Sequence, residues 1–410
     1  MNSPVKKLLR SCPVCQSDVG FFLYKQKFVL PDKHPLRNGY DVVLCPQCGF
    51  LFADSSVTQH DYDVYYADFS KYEDNHTSTG GGGSGFDAQR IEDVANQITQ
   101  VLGDRSLRIA DIGCANGGIL KKLKESGFEN IVGIDPSQAC VAYIRDQLSI
   151  EAHRASVFDI PASLGQFDLI ILSHVMEHIL DLQGCIKEVS KFLAPHGRLY
   201  IEVPDANRYV DFITSPYQDF NTEHINHFTQ HSLDNLFENS GFEKISGGIK
   251  TIESAPSVPY PALYAFYKKT ELDHLVKFTS DEEIGFRIDA YIKNSQKIVD
   301  DINDYLRRNF NREEGILVWG TGQLTLKLLA MSELPDFRIL NFVDSNPILK
   351  GKSLIDIPIK HPSQLSDLDS GVKILITSTI HETEIREDIE KLYRLKNPIF
   401  GLRDCLKIKL

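Results

Sequence analysis

Three groups of residues in this 410-residue chain have types and spacings suited to chemistry. Glu223-His224-x-x-His227 places three titratable side chains within five residues. Imidazole titrates near neutral pH and an adjacent carboxylate can orient it and stabilise its cation, so the cluster suits proton abstraction. If the stretch is helical, Glu223 and His227 lie one turn apart and His224 and His227 share a face. The same side chains could instead cap helices or satisfy buried carbonyls. The second group is Asp111-Ile-Gly113-Cys114-Ala-Asn-Gly117, with Asp135 placed 24 residues after Asp111. Glycines in a strand-to-helix turn let the backbone approach a ligand, and an acid ending the next strand can accept from both hydroxyls of a ribose. The turn lacks the Gly-x-Gly-x-x-Gly of pyrophosphate binders and opens with an acid, which suits a cationic methionine group. The cofactor this predicts is S-adenosylmethionine (SAM). The third group, Cys12-x-x-Cys15 and Cys45-x-x-Cys48-Gly49, has the spacing of two zinc knuckles. A disulfide pair is the rival, disfavoured in a cytosolic chain. Four thiolates would close the coordination shell, which makes the expected zinc structural.

The elements that must position these residues follow from periodicity. Residues 107–111 read as a strand, 118–127 as a helix closed by glycine, and 130–134 as a second strand ending in Asp135. Residues 86–102 read as an amphipathic helix. Beyond about 270 the pattern turns to charged helices, and then to Gly315-Ile-Leu-Val-Trp319-Gly320-Thr-Gly322, again a strand and a glycine turn. A strand ending in Asp344 follows. Gly-x-Gly alone is a weak signal and the third glycine is missing, so this part is either a second nucleotide site or a Rossmann-like domain without a cofactor.

Eight cysteines, a net charge of −12 and a pI near 5.6 bound the rest. The acidic balance argues against a nucleic-acid polymer as partner. No apolar run reaches membrane-spanning length and the first residues lack the apolar core of a signal peptide, so no membrane partner and a cytoplasmic location are expected. Tyr62, Tyr65, Tyr66 and Tyr72 precede the run Gly80-Gly-Gly-Gly-Ser-Gly85. They are either packing beside a hinge or an aromatic lid that closes on a sugar.

The stretch from Asp111 onward resembles the class I SAM-dependent methyltransferases, in that family's order, over about 90 to 270. The resemblance implies that Asp111, Gly113, Cys114, Gly117, Asp135 and Pro136 hold the cofactor. It also implies that Asp159 and Ile160 lie at the adenine and that Ser173 and His174 lie beneath the methyl group. The whole chain resembles the deoxysugar C-methyltransferases, which act on nucleotide-linked keto sugars. That resemblance implies an α/β fold: a class I methyltransferase Rossmann-like sheet, a small N-terminal zinc-binding module, and a second C-terminal Rossmann-like α/β domain. The expected division is a zinc module at 1–55, a connector or lid at 56–85, the methyltransferase domain at 86–270, a helical linker at 271–312 and the C-terminal domain at 313–410.

In the sugar enzymes an Asp/Glu-His motif helps form an enolate beside the ketone, and Glu223-His224 match it. A tyrosine often stands two residues before that glutamate; here it is Asn221. Glu202-Val-Pro204-Asp205 and Ser173-His-Val-Met-Glu-His178 look more like O-methyltransferases of small molecules and glycans. Two enzymatic expectations follow. In one, His224 with Glu223, His227 and a lid tyrosine such as Tyr65, Tyr66 or Tyr72 removes a proton from a sugar carbon. In the other, the same site removes it from a hydroxyl. A SAM-binding scaffold without turnover is the third alternative. The expected partner is a small molecule, a nucleotide sugar or glycan, and the expected cofactors are SAM and zinc.

Overall fold

The computed structural model describes residues 3–68, 85–270, 277–349 and 351–406. It divides into two compact units. The first gathers Met1–Leu23, Val42–Phe212 and Glu223–Arg287, and the second Tyr24–Asp41, Ile213–Thr222 and Ile288–Leu410.

In the first unit, β1 (Val5–Lys7), β2 (Val19–Lys27), β3 (Gly39–Leu44) and β4 (Leu51–Asp54) precede helix α1 (Gln59–Asp68). The residues of β2 and β3 within 24–41 group with the second unit. Next come α2 (Gly85–Leu102), β5 (Ile109–Ile112), α3 (Gly118–Glu125), β6 (Ile131–Asp135), α4 (Gln138–Leu148), β7 (Glu151–Arg154), β8 (Phe167–Ser173), α5 (Leu182–Lys191) and β9 (Leu193–Pro204). The unit closes with β10 (Asn226–His227), α6 (Gln230–Glu238), β11 (Phe242–Ala255) and β12 (Val258–Lys269).

Seven strands form one sheet in the order β11-β12-β9-β8-β5-β6-β7. Strands β5 to β9 are parallel, and β12 and β11 run antiparallel at one edge. The parallel strands are buried on both faces, which is why Ile109–Ile112 and Ile131–Asp135 are runs without polar alternation. Helix α2 covers one face with Ile91, Val94, Ala95, Ile98 and Leu102, spaced three and four apart. Burying each contributes roughly 1 to 3 kcal/mol, least for the alanine.

The first 55 residues do not form a unit of their own. Strand β10, from the segment after β9, pairs antiparallel with β4, setting Asn226 opposite Phe52 and His227 opposite Leu51. Phe50 packs on Phe52 and Phe228 at ring distances of 5.8 and 5.2 Å. An apolar edge strand left open would be a liability, and this pairing covers it.

In the second unit, α7 (Ile284–Asn309) leads into β13 (Ile316–Trp319), α8 (Gln323–Met331), β14 (Ile339–Val343), β15 (Ser353–Leu354), β16 (Ile357–Lys360), β17 (Lys373–Ile376) and β18 (Ile399–Gly401). The expected helical linker is therefore part of this unit from Ile288 onward. Its buried face, Ile288, Tyr291, Ser295, Val299, Ile302 and Leu306, has the spacing of a core helix. The sheet order is β15-β16-β14-β13-β17-β18, parallel except for β15. Order reverses at β13, a doubly wound topology whose ligands bind outside the carboxyl ends of the strands. Among the described residues, no helix is long and apolar enough to cross a membrane.

Candidate functional site

The carboxyl ends of β5, β6 and β8 lie side by side in the parallel sheet. Gly113 and Gly117 both sit at φ +74°, in the left-handed region. A Cβ at Gly113 would come within 2.6 Å of Val175 Cγ2, so no larger residue fits there. Asp135 is fixed by two backbone amides: Ala115 N donates to Oδ2 at 2.8 Å and Ser137 N donates to Oδ1 at 2.8 Å. Both of its oxygens are thus held in place by the backbone. Burial nevertheless lifts its pKa to about 6.

Asp111 is enclosed, and burial together with the nearby charge of Asp135 raises its pKa to about 8. A carboxyl so placed ionises readily only when a cation joins it. SAM supplies such a cation. Cys114 is a buried thiol whose backbone shapes the turn, its carbonyl accepting from Gly117 N at 2.8 Å. Pro136 contributes a carbonyl, which takes Arg154 Nε at 3.2 Å. Asp159 ties its own loop by accepting from the Ser156 hydroxyl at 2.6 Å, and Ile160 packs beside it against the core. Ser173 Oγ is buried at the end of β8 and has no hydrogen-bond partner among the described residues, as expected of a group that awaits a ligand.

His174 departs from expectation. It has φ +55°, and its two ring nitrogens face carboxylates, Nδ1 to Glu177 Oε1 at 3.1 Å and Nε2 to Glu202 Oε1 at 3.2 Å. Burial opposes charge on the ring, but the two carboxylates outweigh it and raise the pKa. Both ring nitrogens are thus engaged by carboxylates of the protein. Glu202 is fully buried; desolvation alone would raise its pKa, but Lys250 and His174 hold it well below the usual carboxylate range.

Tyr65, on α1, donates its hydroxyl to Glu223 Oε1 at 2.5 Å. The Glu223 carbonyl meets His178 Nδ1 at 3.1 Å, and Ile225 N donates to the Glu177 carbonyl at 2.9 Å. His178 and His224 pack edge to face with ring centroids 5.0 Å apart. Ligating atoms of Glu177, His178 and His224 all lie within 4.8 Å of one another. The structure therefore joins Tyr65, Glu223 and His224 to His178, which is not among the residues expected to act. The usable signal was its place in the loop after β8, at the same end of the sheet as Asp111.

His227 is not part of this group. The segment is not helical, and His227 lies in β10, where successive side chains point to opposite faces. It is fully buried with Nδ1 3.3 Å from the Tyr209 hydroxyl, and burial pushes its pKa down to about 3. That environment keeps the ring neutral and away from solvent. Tyr66 lies in α1, but its side chain, like Tyr72 and the glycine-rich run up to residue 84, is outside the described residues.

The four cysteines of the N-terminal module bring their sulfur atoms within 4.8 Å of one another, with Cys12–Cys48 at 3.6 Å and Cys15–Cys45 at 3.4 Å. A tetrahedral zinc with Zn–S bonds of about 2.3 Å sets sulfur–sulfur edges of about 3.8 Å. Both knuckles turn alike: Gln16 and Gly49 have φ of 62° and 68° and donate N–H to the Cys12 and Cys45 carbonyls at 2.9 and 3.0 Å.

Comparison with known proteins finds methyltransferases. The family described as "Methyltransferase domain" matches residues 86–246. The ubiquinone biosynthesis O-methyltransferase of Bradyrhizobium diazoefficiens is 28% identical over 106 residues, covering 25% of this chain and 41% of that protein. A ubiquinone/menaquinone biosynthesis C-methyltransferase of Campylobacter jejuni is 23% identical over 124 residues, 28% of this chain and 53% of its own. The tRNA U34 carboxymethyltransferase of Campylobacter fetus is 28% identical over 128 residues, 30% and 45% of the two chains. The chain thus spans about half or less of the length of these relatives. Among solved structures, the 1,6-didemethyltoxoflavin-N1-methyltransferase of Burkholderia thailandensis with bound S-adenosylhomocysteine aligns over 55% of this chain and 97% of its own, at 16% identity and a TM-score of 0.41.

Proposed function

We propose that this chain is a class I SAM-dependent methyltransferase, with the family match at residues 86–246, and that it methylates a sugar acceptor, nucleotide-linked or within a glycan, at a carbon beside a ketone. The observation that carries the reading is the 2.5 Å hydrogen bond from Tyr65 to Glu223, next to His224 and His178. Bound SAM supplies an electrophilic methyl on a sulfonium. Asp135 would hold the ribose and Asp111 would face the methionine cation. His224 would take the proton from the acceptor, Glu223 stabilising the imidazolium and Tyr65 fixing the Glu223 carboxylate. Most of the rate would come from alignment, since methyl transfer is an in-line displacement.

The same cluster can deprotonate a hydroxyl, and the local similarity to O-methyltransferases favours this second reading. Incubation with SAM carrying a ¹³C-methyl and a panel of nucleotide sugars separates the two. A methyl resonance on carbon supports the first and one on oxygen the second; labelling of neither would contradict a sugar acceptor.

The proposal includes a structural zinc held by Cys12, Cys15, Cys45 and Cys48, supported by the mutual approach of their sulfurs. It also includes a cytoplasmic site of action, where such thiols stay reduced.

A further inference from the structure

The second unit rebuilds the ribose hook of the first. In the donor pocket, Gly113 N donates to the carbonyl of Ile134, the residue before the acid, at 2.8 Å. Asp135 Oδ2 then accepts from Ala115 N and Oδ1 from Ser137 N, two residues beyond it. In the second unit, Gly320 N donates to the carbonyl of Val343, again the residue before the acid, at 2.8 Å. Asp344 Oδ2 accepts from Thr321 N at 2.9 Å and Oδ1 from Asn346 N at 2.9 Å, again two residues beyond. Both leading glycines lie at positive φ, +74° for Gly113 and +100° for Gly320. The turn is one residue shorter in the second copy, and Thr321 adds a hydroxyl bond to the same oxygen at 2.7 Å.

This hook opens on a cleft. A volume of about 330 Å³ is lined by Asp344, Asn346, Pro347, Ile359, Lys360 and His361, beyond the ends of β14 and β16. The size is at the lower end of what small-molecule sites enclose. Its walls mix an apolar pair with a cation and an imidazole, a lining that suits a flat base and an anionic substituent.

A second SAM does not fit. The acid that answers the methionine cation, Asp111, stands two residues before Gly113; two residues before Gly320 stands Val318, buried in β13. Nothing at that position would neutralise a sulfonium or an ammonium, whereas Lys360 faces the cleft.

We infer that the second unit binds a ribonucleotide, its ribose hydroxyls on Asp344 and its base in the cleft against Pro347 and Ile359. This site stands whether or not the methyl acceptor is a sugar. Lys360 supplies charge for the phosphates, and Asp344 would repel a phosphate on the 2′-oxygen.

Calorimetry on the full chain, with the donor pocket saturated by S-adenosylhomocysteine, tests this using uridine, guanosine and adenosine 5′-diphosphates. At least one should bind with one site per chain. Its 2′-deoxy counterpart should bind about ten-fold more weakly, because one hydrogen bond to Asp344 is missing. Asp344→Asn and Lys360→Ala should each weaken the nucleotide while leaving S-adenosylhomocysteine within about two-fold. No saturation by any of the three at about 1 mM would overturn the inference. So would equal affinity for the ribo and deoxy forms, a comparison that needs no variant and so does not depend on a variant folding.

Discussion

The Tyr65 hydroxyl lies 2.5 Å from Glu223 Oε1, joining residues 158 apart in the chain. It links the helix after the N-terminal module to the segment that carries His224. Tyr65→Phe removes one hydrogen bond to a carboxylate, of order 1.5 to 3 kcal/mol. Turnover should fall by about ten- to a hundred-fold, with S-adenosylhomocysteine affinity unchanged by calorimetry.

Donor binding should depend on pH through Asp111. Its pKa in the free protein is about 8, raised by burial and then by Asp135, and a bound cation lowers it. Below that value, binding must release a proton. Affinity for SAM should therefore rise with pH, by up to about ten-fold per unit, and level off above pH 8. Calorimetry in buffers of different ionisation enthalpy at pH 6.5 would show the released proton; equal heats would exclude it.

The turn that carries Gly113 and Gly117 was largely legible because it is local. Gly113, Gly117 and Asp135 lie within one strand-turn-helix-strand, where the left-handed φ and the acid leave marks in the sequence. The acceptor side was only half legible. Glu223 and His224 stood out as residue types, but their link to Tyr65 and His178 depends on chain separations that no periodicity encodes. His227 misled because its role was read on a helix, while pairing with β4 made the segment a strand. The same pairing, invisible to local propensity, ties β4 to a strand that lies more than 170 residues later in the first unit.

Glu202 joins Lys250 and His174 in full burial. Glu202→Gln leaves them without their shared anion, a change that typically costs about 3 to 5 kcal/mol. Glu202's pKa is depressed, so its contribution is present above the unfolded value and is lost as pH falls through the folded one. Urea denaturation at pH 7 should show a clear loss of stability in the variant, and the gap should close in acid.

Removal of metal should loosen the N-terminal module. Metal analysis should find about one zinc per chain, and Cys45→Ser should lower it to near zero. A chelator should lower the thermal midpoint of the intact chain and leave that of Cys45→Ser unmoved. A chain as purified with much less than one zinc would remove the assignment.

In the proposed mechanism donor and acceptor chemistry reside on different residues, Asp111 and Asp135 for one and His224 for the other. It is tested most directly by His224→Ala, measured for S-adenosylhomocysteine affinity and for single-turnover methyl transfer to the sugar acceptor found in the panel. Affinity should stay within about two-fold of the parent and methyl transfer should slow by about 10² to 10⁴. Transfer at the parental rate would contradict it, as would a loss of S-adenosylhomocysteine binding as large as the loss of rate.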